Sequence, residues 1–273
     1  MNANHIKDLS PWLAFIEARI GFVLPKTQHG WLTNAINSTC ARYNITAQTL
    51  LERVRFDTEA RQVLLDAILI TETRFFRHKP SIDFVVQQYQ KHAQHSEDNF
   101  VVLSAGCSEG HEVWSLAMAL HQSAATPHYR LLGLDASYQA LAVAKQAQYP
   151  LREFDTLPDD YYYSVKSEIQ QGYFEPIAVL RDCVDFVWCN LFDDSLAQSL
   201  LTKGVTKADV IVCQNVLIYF RRFDQRDILA RLVDRLHVGG YLILAGGEAL
   251  FWQHDEMRRL SHASVNVWQK IAK

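Results

Sequence analysis

The stretch VVLSAGCSEGHEVWSLA at 101–117 decides the fold of this chain of 273 residues. Its apolar run is typical of a strand buried on both faces, and it ends in a glycine-containing turn that leads straight into a helical pattern. Gly106 and Gly110 allow a tight turn and a close approach of a ligand to the backbone. The N-terminus of the following helix adds a partial positive charge. The stretch therefore predicts a strand–turn–helix unit with a binding site at its turn.

Strands and helices alternate along the chain beyond this unit. The predicted strands lie at 100–106, 129–135, 184–190, 209–215, 241–246 and 265–272, and the predicted helices at 112–124, 137–147 and 223–236. This alternation predicts a doubly wound α/β fold with a parallel sheet. Residues 149–182 interrupt it with tyrosines, prolines and short apolar pieces, which predicts an inserted subdomain.

The N-terminal third carries helical patterns and no strand-like alternation. Ser10, with a proline directly after it, is predicted to cap the first helix, and Gly21 to end it. Thr46 and Asp57 are predicted caps of two later helices. We therefore expect a small helical domain over 1–92, followed by the α/β domain.

The division into 1–92 and 93–273 also separates the charge. The first part carries 11 Lys and Arg against 8 Asp and Glu, a net charge of +3. Because the whole chain has a net charge of −3, the second part has a net charge of −6. A bias of +3 is too weak to predict a nucleic-acid partner. It fits an acidic protein partner, but the charge alone favours a set of solvated helix faces without a partner.

Several classes of function are excluded by composition and motifs. Apolar runs such as 210–213 are far shorter than the roughly 20 residues that span a bilayer, and the N-terminus does not resemble a signal peptide. Five cysteines without a C-x-x-C pair predict reduced thiols and a cytoplasmic location. No metal is expected, because Ser115 stands where an H-E-x-x-H motif needs its second histidine. Cys107 is interpreted as a packing residue rather than a nucleophile.

Polar side chains close three of the predicted strands. Asp135 lies 25 residues beyond Gly110, where an acid binds the two hydroxyls of a ribose. Asn190 and Asn215 close two further strands. Ligands bind outside the carboxyl ends of parallel strands, so these three residues are candidates to bind one nucleoside cofactor. An equal alternative for the asparagines is that they only cap the segments that follow.

Five segments carry a more specific signal. They are TETRFFRH at 71–78, SAGCSEGHEVWSLA at 104–117, GLDASYQALAVAKQAQY at 133–149, CQNVLIYF at 213–220 and VGGYLILAGGEAL at 238–250. In order and spacing, over about residues 8–250, they resemble the chemotaxis-receptor protein-glutamate methyltransferases (CheR type). The resemblance implies an N-terminal helical domain, then a Rossmann-like, doubly wound, S-adenosylmethionine-dependent methyltransferase domain with a small β-subdomain inserted at 149–182.

The resemblance also implies a site for S-adenosyl-L-methionine and its product S-adenosyl-L-homocysteine. The cofactor would lie over the glycine turn at Gly106, with Asp135 on its ribose. Further implied contacts are Thr71, Thr73, Arg77, Glu112, Asn190, Leu191, Gln214 and Asn215. Arg77 and Tyr219 are the implied catalytic residues: Arg77 steers the substrate carboxylate or anchors the cofactor, and Tyr219 orients the methyl group.

The implied reaction methylates glutamate side chains in the cytoplasmic helical domain of a methyl-accepting receptor. A glutamate carboxylate is already ionised at neutral pH, so it needs no general base to attack a sulfonium methyl. Catalysis then rests on alignment, and on a dry site that favours the neutralisation of an anion by a cation. No nucleic acid and no insertion into a membrane are expected.

Four positions depart from the family pattern: Thr71 replaces an asparagine, His78 a glutamate, His111 an acid and Gln214 an arginine. These departures bear on affinity for the cofactor rather than on the fold. The second predicted helix is poor in arginine, which favours an atypical receptor such as the sensor of a pilus-motility (PilK-like) pathway. Two alternatives remain open: a non-catalytic member that binds an S-adenosyl ligand or a receptor, and a methyltransferase for small molecules.

Overall fold

Helices fill the first third of the chain, and a seven-stranded sheet organises the rest. The computed structural model describes residues 6, 8–123 and 128–272. The α-helices within this part are α1 Ser10–Ile20, α2 His29–Tyr43, α3 Ala47–Phe56, α4 Thr58–Ile68, α5 Lys79–Ala93, α6 His111–Gln122, α7 Tyr138–Gln146, α8 Leu151–Phe154, α9 Ala178–Arg181, α10 Ser195–Leu201 and α11 Arg222–Asp234. The strands are β1 Phe100–Ala105, β2 Tyr129–Asp135, β3 Tyr149–Pro150, β4 Val165–Glu168, β5 Tyr173–Pro176, β6 Val184–Trp188, β7 Ala208–Cys213, β8 Leu236–Leu244, β9 Met257–Arg259 and β10 Asn266–Lys270.

The main sheet has the strand order β6-β2-β1-β7-β8-β10-β9. Its first five strands are parallel, and β10 and β9 are antiparallel to their neighbours. The chain first proceeds from β1 to β2 on one side and later returns to β7 on the other side. This reversal opens a crevice at the carboxyl ends of β1 and β7, the place where such sheets bind ligands. The predicted α/β fold is confirmed.

The segment that interrupts the alternation forms a second sheet. Strands β3, β5 and β4 pair in that order, all antiparallel. The last strand of the main sheet was expected and is present as β10, whereas β9 is a short strand without a clear sequence pattern. The predicted helix at 112–124 corresponds to α6, and its last residue lies outside the described part of the chain.

The helix boundaries agree with the predicted caps at all but one position. Gly21 ends α1 in the left-handed conformation, with φ of 71°. Thr46 and Asp57 accept backbone N–H bonds at the starts of α3 and α4, as expected. Ser10 is not a cap, because it is the first helical residue, and its N–H donates to Oδ1 of Asp8 at 2.9 Å. Asp8 thus accepts the N–H of Ser10, whereas the carbonyl of Leu9 accepts those of Trp12 and Leu13, and no side chain of the described residues caps α1.

The first five helices pack into two different hydrophobic cores. The buried side chains of α1–α4, between Trp12 and Leu69, form a core of their own. Helix α5 instead buries Phe84, Val85 and Tyr89 in the core that covers one face of the sheet. The boundary at residue 92 remains a prediction, and the packing of α5 favours one nearer residue 70.

The helical part is joined to the carboxyl ends of the strands. The N–H of Val23, just after α1, donates to the carbonyl of Tyr219 at 2.9 Å. Nδ2 of Asn190, after β6, donates to the carbonyl of Arg19 in α1 at 3.2 Å. These bonds place the end of α1 over the same edge of the sheet where the crevice opens.

We predict that Gly110→Ala destabilises the protein more than Gly172→Ala does. Both glycines have φ near 80°, so an alanine is strained by about 1–2 kcal/mol at either position. A Cβ at Gly110 would also lie 2.8 Å from Cβ of Ala144 and 3.0 Å from Cζ of Phe186, whereas Gly172 has open space. Overpacking adds a further ~1–3 kcal/mol. Equal losses of unfolding free energy in denaturant titrations would contradict this packing argument.

Candidate active site

One cavity at the carboxyl ends of β1, β2, β6 and β7 collects every site residue that the sequence predicted. Residues 69–78 and the segment that follows α1 form its other walls. The predicted residues that line it are Thr71, Thr73, Arg77, Gly106, Glu112, Asp135, Asn190, Leu191, Gln214, Asn215 and Tyr219. Five separate stretches of the chain therefore meet in one place, although the function of each residue stays a prediction.

The glycine turn is tied to the end of β2 by three backbone N–H groups. Those of Gly106 and Cys107 both donate to the carbonyl of Leu134, at 2.7 and 2.9 Å. The N–H of Ser108 donates to Oδ2 of Asp135 at 2.8 Å. The turn cannot shift without moving the strand end, so cavity wall and turn form one unit.

The two glycines of the turn have different surroundings. Gly106 lines the cavity with φ of 78°, and a Cβ there would lie 2.3 Å from Cγ2 of Val216. Gly110 does not line the cavity, and its lack of a side chain serves packing against α7. The expected close approach to a ligand therefore applies to Gly106 only.

Asp135 both shapes the turn and faces the cavity. Its Oδ1 accepts the N–H of Ser137 at 2.9 Å, and its Oδ2 accepts that of Ser108. Burial raises the pKa of Asp135, while these N–H donors work in the opposite direction. Each carboxylate oxygen keeps a second lone pair, so the group can also accept hydrogen bonds from a ligand.

Glu112, in the first turn of α6, is the most strongly perturbed acid of the cavity. Its Oε1 accepts a hydrogen bond from Oγ of Ser104 at 2.6 Å. Burial raises the pKa of Glu112 to about 7, and the charge of Glu248 adds to this, while Ser104 and the charge of Arg77 oppose it. A carboxylate held in this way favours a cationic ligand group beside it.

Aromatic packing fixes the segment 69–78, called the linker from here on, which carries Arg77. Phe76 stacks on Tyr161 with ring centroids 4.4 Å apart, and its N–H donates to Oγ of Ser115 at 2.9 Å. Nη1 of Arg77 donates to the carbonyl of Glu72 at 3.1 Å. The guanidinium is thus held at the cavity by the linker's own backbone, and no acidic side chain of the described residues forms an ion pair with it.

Tyr219 lies in the 3₁₀ turn Leu217–Tyr219, where Phe22 covers its ring. The two rings stack with centroids 5.1 Å apart and an angle of 21° between their planes. Burial raises the pKa of Tyr219, and the charge of Arg77 opposes this. The hydroxyl therefore stays protonated at neutral pH and can donate a hydrogen bond.

Asn190 caps the turn after β6, which is one of the two alternatives that the sequence left open, while its contact with a ligand stays a prediction. It lines the cavity, and its side chain also fixes the turn that follows β6. Oδ1 accepts the N–H of Phe192 at 3.1 Å, and Nδ2 donates to Asp193 at 3.0 Å. The turn is capped by the same amide that faces the ligand site.

Gln214 and Asn215 follow β7 with different surroundings. Nε2 of Gln214 donates to Oγ of Ser81 at 3.1 Å and to the carbonyl of Leu244 at 3.3 Å, which links β8 to α5. Asn215 adopts the left-handed conformation, with φ of 60°. Asparagine tolerates that conformation better than most residues, so the turn can present this side chain to the cavity.

His111 does not line the cavity, and its effect on cofactor affinity stays a prediction. Its buried ring packs against Phe75 and Tyr149, with centroids 4.6 and 4.7 Å apart. Nε2 of His111 lies 2.8 Å from Oε2 of Glu153, in α8. The residue therefore joins α6 to the inserted segment. The other three residues that depart from the family pattern, Thr71, His78 and Gln214, line the cavity.

The place of Glu248 at this site was not predicted from the sequence, although the residue lies in the family-like segment 238–250. This buried carboxylate lies beyond β8 and accepts N–H bonds from the segment after β7. A single acid in a loop carries no local signal of such a role. The hydroxyl of Ser104 was missed for the same reason, since its partner Glu112 lies on the next element.

The cysteines do not form disulfide bonds, and Cys107 is not activated as a nucleophile. All five thiols are free, and burial raises the pKa of Cys107 well above its ordinary value, which disfavours a thiolate.

The described residues contain no cluster of three His, Cys, Asp or Glu side chains that could hold a metal ion. None of the helices in residues 6, 8–123 and 128–272 has the length and apolar character needed to cross a bilayer.

Comparison with known proteins agrees with this geometry. The family model described as "CheR methyltransferase, SAM binding domain" matches residues 71–267. Chemotaxis protein methyltransferase 1 of Pseudomonas aeruginosa is 28% identical over 261 residues, which cover 89% of this chain and 90% of that protein. Chemotaxis protein methyltransferase Cher2 of Pseudomonas putida is 26% identical over 278 residues, which cover 96% and 97%.

A third relative supports the same assignment. The chemotaxis protein methyltransferase of Listeria monocytogenes is 28% identical over 207 residues, which cover 76% of each chain. The family match spans the linker, the glycine turn and all the strand ends that line the cavity. The chain therefore belongs to the CheR family of S-adenosylmethionine-dependent methyltransferases.

Proposed function

We propose that this protein transfers the methyl group of S-adenosyl-L-methionine to glutamate side chains of a methyl-accepting chemoreceptor and so forms glutamyl methyl esters. The observation that carries the proposal is the single cavity that unites the linker, the glycine turn and the strand ends. The relatives named chemotaxis protein methyltransferases support the receptor as substrate. The proposed catalytic residues Arg77 and Tyr219 are both present in the cavity wall, which favours an active enzyme over a non-catalytic member.

The cavity's acceptors suit an S-adenosyl ligand. Asp135 offers free lone pairs for the two ribose hydroxyls, and Glu112 offers a carboxylate for the ammonium of the methionine end. Gly106 leaves the backbone open to close approach, and Asn190 with Leu191 would border the adenosine. The cofactor supplies an electrophilic methyl group on a positively charged sulfur.

The contribution of the protein to the reaction is alignment and exclusion of water. An ionised glutamate needs no base, so Arg77 would attract the substrate carboxylate and hold it in line. The protonated hydroxyl of Tyr219 would orient the methyl end of the cavity. Orientation of this kind contributes roughly 7–11 kcal/mol to a lowered barrier. Because anion and cation neutralise each other, a dry cavity lowers the barrier further.

The proposed partner is the cytoplasmic helical domain of the receptor, so the enzyme would act in the cytoplasm. Acidic receptor helices would face the positively charged helical part. Arg53 is unsuited to this contact, because it pairs with Asp57 at 2.7 Å and lies over the ring of Tyr43. Arg55 is exposed and is the better candidate.

We predict that Asp135→Ala weakens S-adenosylhomocysteine binding at least 30-fold in calorimetric titration. Each hydrogen bond to a charged group contributes about 1.5–3 kcal/mol, and two would be lost. Asp185→Ala is the matched control, because Asp185 pairs with Arg130 and Lys203 on the neighbouring strand, away from the cavity. Equal affinities of the Asp135 variant and the control would refute the ribose assignment.

We predict that Glu112 makes ligand affinity depend on pH. With a pKa of about 7 in the free protein, affinity for S-adenosylhomocysteine rises about tenfold from pH 6 to 8, because the ionised carboxylate binds the ammonium group. Glu112→Gln removes the rise. The stability of the ligand-free protein moves the opposite way, since a raised pKa means that the fold disfavours the ionised form.

The wild type should therefore lose stability relative to Glu112→Gln as pH rises from about 4.5 to 7. Melting temperatures across this range test the sign. A wild type that gains stability relative to the variant over the same range would contradict the raised pKa.

We predict that Arg77→Ala and Tyr219→Ala each slow methyl transfer to a receptor fragment at least tenfold, because each loses an aligning contact. Arg77→Lys keeps the charge without the fork and should be intermediate. Arg130→Ala, whose arginine pairs with Asp185 outside the cavity, serves as the control. Initial rates with methyl-labelled cofactor measure the effect, and full activity of both alanine variants would refute these roles.

A further inference from the structure

We propose that Glu248 is a positioning residue for methyl transfer: its buried carboxylate holds the segment 215–219, which carries Asn215 and Tyr219, against the glycine turn. The inference rests on the proposed function in one respect, because it assigns that segment to the methyl-transfer site. Glu248 itself lies outside the cavity wall. It acts through the backbone and touches no reacting atom.

The carboxylate satisfies three backbone N–H groups that no strand or helix can satisfy. Oε1 accepts those of Val216 and Leu217, at 3.1 and 3.0 Å. Oε2 accepts that of Ala245 at 3.0 Å. The group joins the loop after β7 to the loop after β8, and the side chain is only 5% exposed. A buried N–H left without an acceptor is costly, so the carboxylate fixes both loops.

The segment that Glu248 holds has little internal support of its own. It begins with Asn215 in the left-handed conformation, so it is in neither a regular strand nor a helix at that point. Val216 then contacts Gly106 so closely that any Cβ at that glycine would lie 2.3 Å from it. Tyr219 follows after one 3₁₀ turn and stacks on Phe22. Fixing the N–H groups of Val216 and Leu217 therefore fixes the start of this segment, while the N–H of Val23 holds its other end through the carbonyl of Tyr219.

The other end of the link is anchored in the sheet. Nδ2 of Asn266, in β10, donates to the carbonyls of Ala245 and Glu248, at 3.0 and 2.9 Å. The turn that carries Glu248 is thus bound to the first residue of β10, where that strand pairs with Leu244 of β8. The order of support runs from β10, through the Glu248 turn, to the segment 215–219.

The carboxylate is required because only it presents acceptors on both oxygens. Glu248→Ala removes all three bonds. Glu248→Gln can keep the bonds to Val216 and Leu217 through its carbonyl, but its amide then faces the N–H of Ala245, donor against donor. Glu248→Ala therefore loses the bonds to segment 215–219, whereas Glu248→Gln can keep them and loses only the bond to Ala245.

The test combines hydrogen exchange with ligand binding, and neither readout needs a receptor. We expect amides of a peptide covering 214–220 to exchange at least tenfold faster in Glu248→Ala, with Glu248→Gln between it and the wild type. Affinity for S-adenosylhomocysteine should fall at least tenfold in Glu248→Ala and be partly restored in Glu248→Gln. Should the alanine variant not fold, faster exchange in Glu248→Gln carries the test.

Asp209→Ala is the matched control. Oδ2 of Asp209 accepts the N–H of Val101 at 2.8 Å, which is the same kind of bond at the opposite end of β1 and β7. This variant should lower the melting temperature without changing exchange at 214–220 or ligand affinity. Unchanged exchange at 214–220 in both Glu248 variants, or an equal loss of affinity in Asp209→Ala, would overturn the proposal. Ligand binding without receptor methylation would count against the proposed function instead.

Discussion

Three N–H groups of the glycine turn converge on the end of β2, and the rest of the site depends on that constraint. Because Gly106 and Cys107 donate to Leu134 and Ser108 donates to Asp135, the turn, the strand end and the start of α6 move as one body. Glu112 is then placed by the first turn of the helix. The other walls are built against this unit: the linker by the stacking of Phe76, and the segment 215–219 by the contact of Val216 with Gly106.

The electrostatics of the cavity follow from the same arrangement. Carboxylates at its wall lose hydration, which raises the pKa of Glu112 to about 7 and also raises that of Asp135. A cofactor with an ammonium and a sulfonium group would relieve this cost, and the reaction would then remove the sulfonium charge. Glu248, whose carboxylate is occupied by three N–H groups, adds to the negative field without contacting the cavity.

The parallel sheet, the glycine turn and the strand-end residues could be predicted from the sequence, because each follows from a local pattern. Asp135 and Asn190 meet because carboxyl ends of parallel strands share an edge. The placement of Arg77 had no local signal, and only family resemblance located it. The packing role of His111 could not be predicted, because its partner Glu153 lies 42 residues away, within the inserted segment. Glu248 was missed because a hydrogen bond between two loops leaves no periodicity.

The chemical form of the transferred methyl group tests the central claim most directly. Methyl-labelled S-adenosylmethionine, the protein and a cytoplasmic fragment of a methyl-accepting receptor would be incubated, and the labelled fragment then treated with mild alkali. The proposed function predicts label on the receptor that alkali releases as volatile methanol, since glutamyl methyl esters hydrolyse under these conditions. Label that stays on the receptor through this treatment, or a receptor that takes up no label while the protein binds S-adenosylhomocysteine, would contradict it.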